Sequence, residues 1–167
     1  MTLLTVIITS FSVVDKTFSE YVKLQKLERL ALKQSIIGKT YQMDLSGIKT
    51  CNKTTIKYLG IVTTKKAKQY KIITSFFVYK TYVDVCHGSS SIKVYNIKNK
   101  YVGEYYVVYP ESLPDTLINN QLLYLNNSND CNLRKNRIIN LNDGLPNSFF
   151  LPCSKNGGDI YNFSSKN

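Results

Sequence analysis

Tryptophan is absent from this 167-residue chain, histidine occurs once, and only three of its 22 basic residues are arginine. Each shortage narrows the chemistry. A Ser-His-Asp or Cys-His site would have to use His87. Its neighbour Cys86 would point to the opposite face of a strand, so that dyad is geometrically poor. With so few arginines the chain has little of the side chain that grips phosphate or guanine bidentately. HExxH, GxSxG, GxGxxG and P-loop patterns are all missing, so the chain shows no motif for a metalloprotease, an α/β-hydrolase, a dinucleotide or a nucleotide phosphate. Gly157-Gly158-Asp159 is too short to cradle a phosphate and reads as a turn. No cofactor is expected.

The four cysteines, Cys51, Cys86, Cys131 and Cys153, include no CxxC pair. Zinc ligands normally come in close pairs, so no metal is expected. In an exported chain an even count suggests two disulfides, and Cys51–Cys86 with Cys131–Cys153 closes the shorter loops. In a cytosolic chain the same four would be buried thiols. Long apolar runs are lacking too. Leu3–Phe11 is too short to span a membrane as a helix, so no transmembrane segment is expected. It has the length of a signal-peptide core, with Ser10-Phe11-Ser12 as a small-x-small cleavage triplet, though no basic residue precedes it. Residues 1–14 are therefore expected to be a signal peptide, or else a strand built on the β-prone Thr5–Thr9.

What is present is a globular composition: 43% hydrophobic and 20% charged residues, 13 tyrosines and a formal charge of +11. That charge favours polyanionic partners. Residues 15–38 predict an amphipathic helix. Thr17 and Glu20 form a capping box, Val22, Leu24, Leu27, Leu30 and Ala31 recur at helical spacing, and Gly38 is the stop. Lys23, Gln25, Lys26, Glu28, Arg29 and Lys33 fall on the opposing, solvent side.

From residue 39 to 167 the period becomes that of strands. Thr40–Leu45 alternates, and Ile56–Thr63 and Tyr70–Tyr79 flank the lysine-rich loop Thr64–Lys68 as a hairpin. Thr81–Cys86 re-enters the sheet, and His87–Ser91 is expected to break it. A central hairpin pairs Ile92–Ile97 with Tyr101–Tyr109. Pro110–Asp115 is a turn-rich connection with room for one helical turn. Gln121–Leu125, Arg137–Leu141, Ser148–Leu151 and Ile160–Phe163 are further strands, with a loop over residues 126–130 and a turn at Asn142–Pro146. About eight short strands at this spacing predict a mainly β domain, an antiparallel barrel or sandwich with one N-terminal helix outside it, with α+β as the fallback.

The candidate binding residues are Lys65, Lys66, Lys68, Lys98, Lys100, Tyr101 and Tyr105, because aromatics among basic residues on a sheet can stack rings and pair anions. Strict alternation puts Tyr101 and Tyr105 on one face and Tyr106 on the other. The function expected is a small exported, periplasmic or secreted, non-catalytic binding or inhibitor-type module for a protein, polyanion or glycan. Two alternatives stand beside it. One is an intracellular barrel in the cytoplasm that binds single-stranded nucleic acid. The other is a hydrolase working through two of Asp84, Glu104, Glu111 and Asp159. Sequons at Asn52, Asn126 and Asn162 are expected by chance in so asparagine-rich a chain.

Overall fold

A computed structural model describes residues 7–44, 53–80, 86–125 and 136–166. One helix, α1 (Ile7–Gln34), precedes ten strands: β1 (Thr40–Asp44), β2 (Lys53–Thr63), β3 (Gln69–Lys80), β4 (Cys86–Asn96), β5 (Tyr101–Val107), β6 (Thr116–Ile118), β7 (Gln121–Tyr124), β8 (Arg137–Asn140), β9 (Ser148–Pro152) and β10 (Gly158–Ser165). A 3₁₀ turn, Pro110–Ser112, sits in the turn-rich connection. All pairings among the described strands are antiparallel. Seven strands run in the order β1-β2-β3-β4-β5-β10-β9, and β6-β7-β8 form a small second sheet. Since β1 and β9 remain edges, the sheet does not close into a barrel. The arrangement is sandwich-like, with the helix on the outer face.

Two apolar layers follow. Between the sheets lie Leu59, Val62, Ile72, Ile92, Val94, Tyr105 and Val107 from the large one, Leu122 and Tyr124 from the small one, and Leu141, Phe149, Leu151 and Tyr161. On the other face Leu24, Leu27, Ala31 and Leu32 of α1 pack on Tyr41, Ile56, Tyr58, Ile73 and Tyr95. A strand serves both layers by alternation, and a bulge changes which residues face which layer. In β2 a bulge between Tyr58 and Gly60 does this. Tyr58 faces the helix, whereas Leu59 and Val62, three apart, both face the inner core. The bulge needs φ +137° at Gly60, a backbone conformation that favours glycine.

Four expectations are corrected. The helix begins well before Thr17, so the capping box lies inside it, and Ile7–Thr9 are helical rather than part of a strand. β-branched propensity is a weak prior, and nothing between Ile7 and Thr17 breaks a helix. The helix also ends at Gln34 and not at Gly38. Ser35 turns left-handed (φ 50°), its hydroxyl donating to the Leu32 carbonyl at 2.6 Å. His87–Ser91 do not break the sheet. They lie within β4, paired to Val78–Ser75 and Tyr79 of β3, and the Phe76 ring covers Gly88. Lastly, Thr116–Ile118, where no strand is expected, form β6. Asn119 and Asn120, both at positive φ, close a two-residue β6–β7 hairpin. The Asn120 side chain then pairs with both backbone groups of Thr63 at 2.9 Å, which ties the small sheet to the large one. The loop expected at 126–130 and the start of Thr81–Cys86 lie outside the described residues.

Candidate functional site

The β3–β4 register sets Tyr70 opposite Asn96. It therefore brings the β2–β3 tip and the β4–β5 tip together at one end of the sheet. Each tip is shaped by a polar side chain. The Thr64 hydroxyl accepts the Lys68 amide at 3.2 Å. Asn96 Oδ1 accepts the amides of Lys98 and Lys100 at 2.9 and 3.0 Å, and Asn99 takes the left-handed turn position at φ 60°. An open groove of about 460 Å³ lies between them, lined by Ala67, Gln69, Asn96, Ile97, Lys98 and Lys100. Lys66 and Lys68, on either side of Ala67, are exposed. Lys65 is drawn to the β8–β9 turn, where it meets Asp143 at 2.8 Å. Two of the five candidate lysines thus line the groove, two flank its lining residue Ala67, and the fifth is held by a carboxylate.

The two candidate tyrosines do not join them. A bulge between Val94 and Tyr95 in the β4–β5 pairing skips Val102, which inverts parity along β5. Tyr101 packs with the helix-side layer, edge-on to Tyr95 at 5.6 Å. Tyr105 lies in the inner core, against Phe149 and Phe163 and donating to the Pro146 carbonyl at 2.7 Å. The expectation that Tyr101 and Tyr105 share a face is overturned by this one extra residue. Tyr106 and Tyr109 are the exposed members of the hairpin cluster.

A second depression lies between α1 and the β4–β5 half of the sheet, which the helix leaves uncovered. It encloses about 550 Å³. At its floor Glu28, 7% exposed, receives Lys93 Nζ at 2.6 Å on one oxygen and the Tyr95 hydroxyl at 3.0 Å on the other. Glu28 was expected to face solvent. Its position, four residues after Leu24 and four before Leu32, is the signal that places it on the flank of the apolar stripe. Burial, and next the Glu28 carboxylate, push the Tyr95 hydroxyl far above its ordinary pKa. Burial, and next the Glu104 carboxylate to which it hydrogen-bonds, do the same for Tyr101. Both are held as protonated donors. Lys71, also buried, donates to the Leu32 carbonyl, the Ser35 hydroxyl and Asn99 Oδ1 at 3.1, 3.2 and 2.8 Å. It places a cation at the helix C-terminus, where the macrodipole is negative, and fixes the β4–β5 tip beside it.

Of the acids named for hydrolysis, Glu104 and Asp159 lie apart. Glu104 lines the helix-side cleft and Glu111 lies in the 3₁₀ turn. Asp159 sits on β10 five residues before Ser164, the partner of Glu104, roughly 16 Å away along the strand. Asp84 lies outside the described residues. Neither described cysteine, Cys86 or Cys153, is a free thiol. Cys51 and Cys131 lie outside the described residues. His87 is exposed near the start of β4. Among the described residues no three His, Cys, Asp or Glu side chains group as metal ligands, and no helix is long and apolar enough to cross a membrane. Compared with protein-family models, curated proteins and solved structures, the chain matches none.

Proposed function

We propose that this protein is a small exported binding module, without catalytic activity, that takes a polyanionic ligand at the paired hairpin tips. One observation carries the reading: Lys98 and Lys100 line one open groove, and the exposed Lys66 and Lys68 flank its lining residue Ala67 on the other turn. The groove offers charge without an aromatic platform, because Tyr101 and Tyr105 are packed into the two apolar layers. Base stacking, on which single-strand binding depends, has no surface there. Lysine is a compact point charge on a flexible stem, suited to sulfate or carboxylate groups strung along a chain rather than to bidentate recognition.

The sulfated polysaccharide heparin is the probe. A ligand held by four such contacts loses affinity about a hundredfold between about 50 and 200 mM salt, as counterions compete. Replacing Lys66, Lys68, Lys98 and Lys100 together by glutamine is expected to remove most of this binding and its salt dependence. These side chains are exposed, so the melting temperature should hold. Unchanged retention of the variant on heparin refutes the site, and tighter binding to single-stranded DNA than to heparin transfers it to nucleic acid.

Export rests on the apolar Leu3–Phe11 segment and the even cysteine count. We propose Cys51–Cys86 and Cys131–Cys153 as the disulfides. Intact mass of protein from its native cell fraction should show loss of the first dozen or so residues. It should also show four cysteines that alkylate only after reduction. Four thiols alkylated without reduction would return the protein to the cytoplasm.

A further inference from the structure

A cleft of about 550 Å³ lies between α1 and the β4–β5 half of the sheet. We infer that this cleft binds a single sugar acid, a pyranose ring bearing one carboxylate, and that it is separate from the lysine groove.

The floor is the first reason. A buried ion pair is poor evidence of stabilisation, since taking the two charges out of water costs about as much as their attraction returns, and apolar replacements are often no worse. Glu28 and Lys93 are nonetheless fixed at the bottom of an open cavity, with both Glu28 oxygens in use. The cavity, about 550 Å³, falls within the range of small-molecule sites, about 300–1,000 Å³. The charge count is the second reason. With Glu28 and Lys93 neutralising each other, the lining keeps Arg29 and Lys166 against Glu104, two cations to one carboxylate. Among the described residues neither Arg29 nor Lys166 is ion-paired. One negative charge on the ligand completes the balance.

Ring chemistry is the third reason. Tyr101, edge-on to Tyr95, and Tyr21, 56% exposed, both line the cleft, and tyrosine rings carry apolar surface of the kind a sugar's C–H face covers. Ring hydroxyls both donate and accept, so they need acceptors and donors side by side. Glu104 and Gln25 supply them.

The test is titration with glucuronate, with glucose as the neutral counterpart. Because the chain lacks tryptophan, tyrosine emission reports binding directly. Glucuronate is expected to saturate the signal at millimolar concentration and glucose is not. Replacing Arg29 and Lys166 together by alanine should weaken glucuronate at least about tenfold, because each removes a charge-assisted hydrogen bond. Lys155→Ala, which removes a cation at the β9–β10 turn, should leave affinity unchanged. The methyl glycoside of glucuronate separates the source: equal binding marks the end residue of a glycan, weaker binding the free acid, and either upholds the site. Equal affinity for glucose, absence of saturation, or a double variant that binds as well as the parent overturns it.

Discussion

Glu28→Ala is expected to destabilise the protein by about 3–5 kcal/mol, the cost of breaking a buried pair by removing one partner. The Lys93 side chain is only 16% exposed and its ammonium would lose its carboxylate. The Tyr95 hydroxyl, buried beside it, would lose its acceptor. Lys93→Met should cost a similar amount, since it leaves Glu28 charged and uncompensated. The double replacement Glu28→Leu with Lys93→Met should recover most of the loss, because an apolar pair of similar volume removes both desolvation penalties at once. Urea unfolding of the four proteins measures the cycle. In a chain of this length the single variants should melt roughly 6–20 °C lower. A double variant as unstable as the two singles summed would show that the pair is not coupled in this way.

Gly103→Val is the second large effect, and it acts through backbone proximity rather than charge. β10 divides its pairing: Gly158–Asn162 bond to β9, and Phe163–Ser165 bond to β5. It is the only described strand that joins β9 to the rest of the large sheet. Gly103 lies where β10 crosses β5. A Cβ there would run into the Ser164 carbonyl oxygen, and would come within 2.6 Å of Phe163 Cζ. The ring can move, but the carbonyl belongs to the strand pairing and cannot do so without breaking it. Overpacking of this kind costs about 3 kcal/mol or more, the upper part of the usual range. The melting temperature should fall by about 6 °C or more, with early loss of protection at the amides of β9 and β10. Adding Phe163→Ala should restore only part of the stability, because it relieves the ring and not the carbonyl. Full restoration would assign the whole cost to the ring. A Gly103→Val protein as stable as the parent would mean that β10 does not pair with β5 in this register.

Much of the fold was legible. The hairpins around Thr64–Lys68 and Lys98–Lys100 follow from β-rich runs split by polar turns, and both are observed. The inner-core positions of β7 and β9 follow from alternation: Leu122 and Tyr124, Phe149 and Leu151. Three features were not legible, for separate reasons. β4 contains Gly88 and Ser89–Ser91, which local propensity assigns to a loop. Pairing with β3 along this stretch, joined by β5 from Ser90 on, overrides that preference. Glu28 looked solvent-facing because helical periodicity locates a stripe but not its width. That width depends on which partner lies against the helix. The bulges at Tyr58/Gly60 and Val94/Tyr95 change which face every later side chain takes. An alternation argument carried across them assigns Tyr101 to the wrong layer.

A mainly β chain with an N-terminal helix, a cluster of lysines in each of two turns and the lack of familiar catalytic motifs can be read from the residues alone. Those are properties of local runs, readable from period, turn chemistry and composition. That the two lysine turns share one groove, that Tyr105 is core, and that Glu28, Lys93 and Tyr95 meet beneath a cleft comes from the packing of distant segments. Glu28 and Lys93 lie 65 residues apart in the chain. Their meeting depends on strand order, register and the two bulges, and these are set by the fit of whole layers against one another.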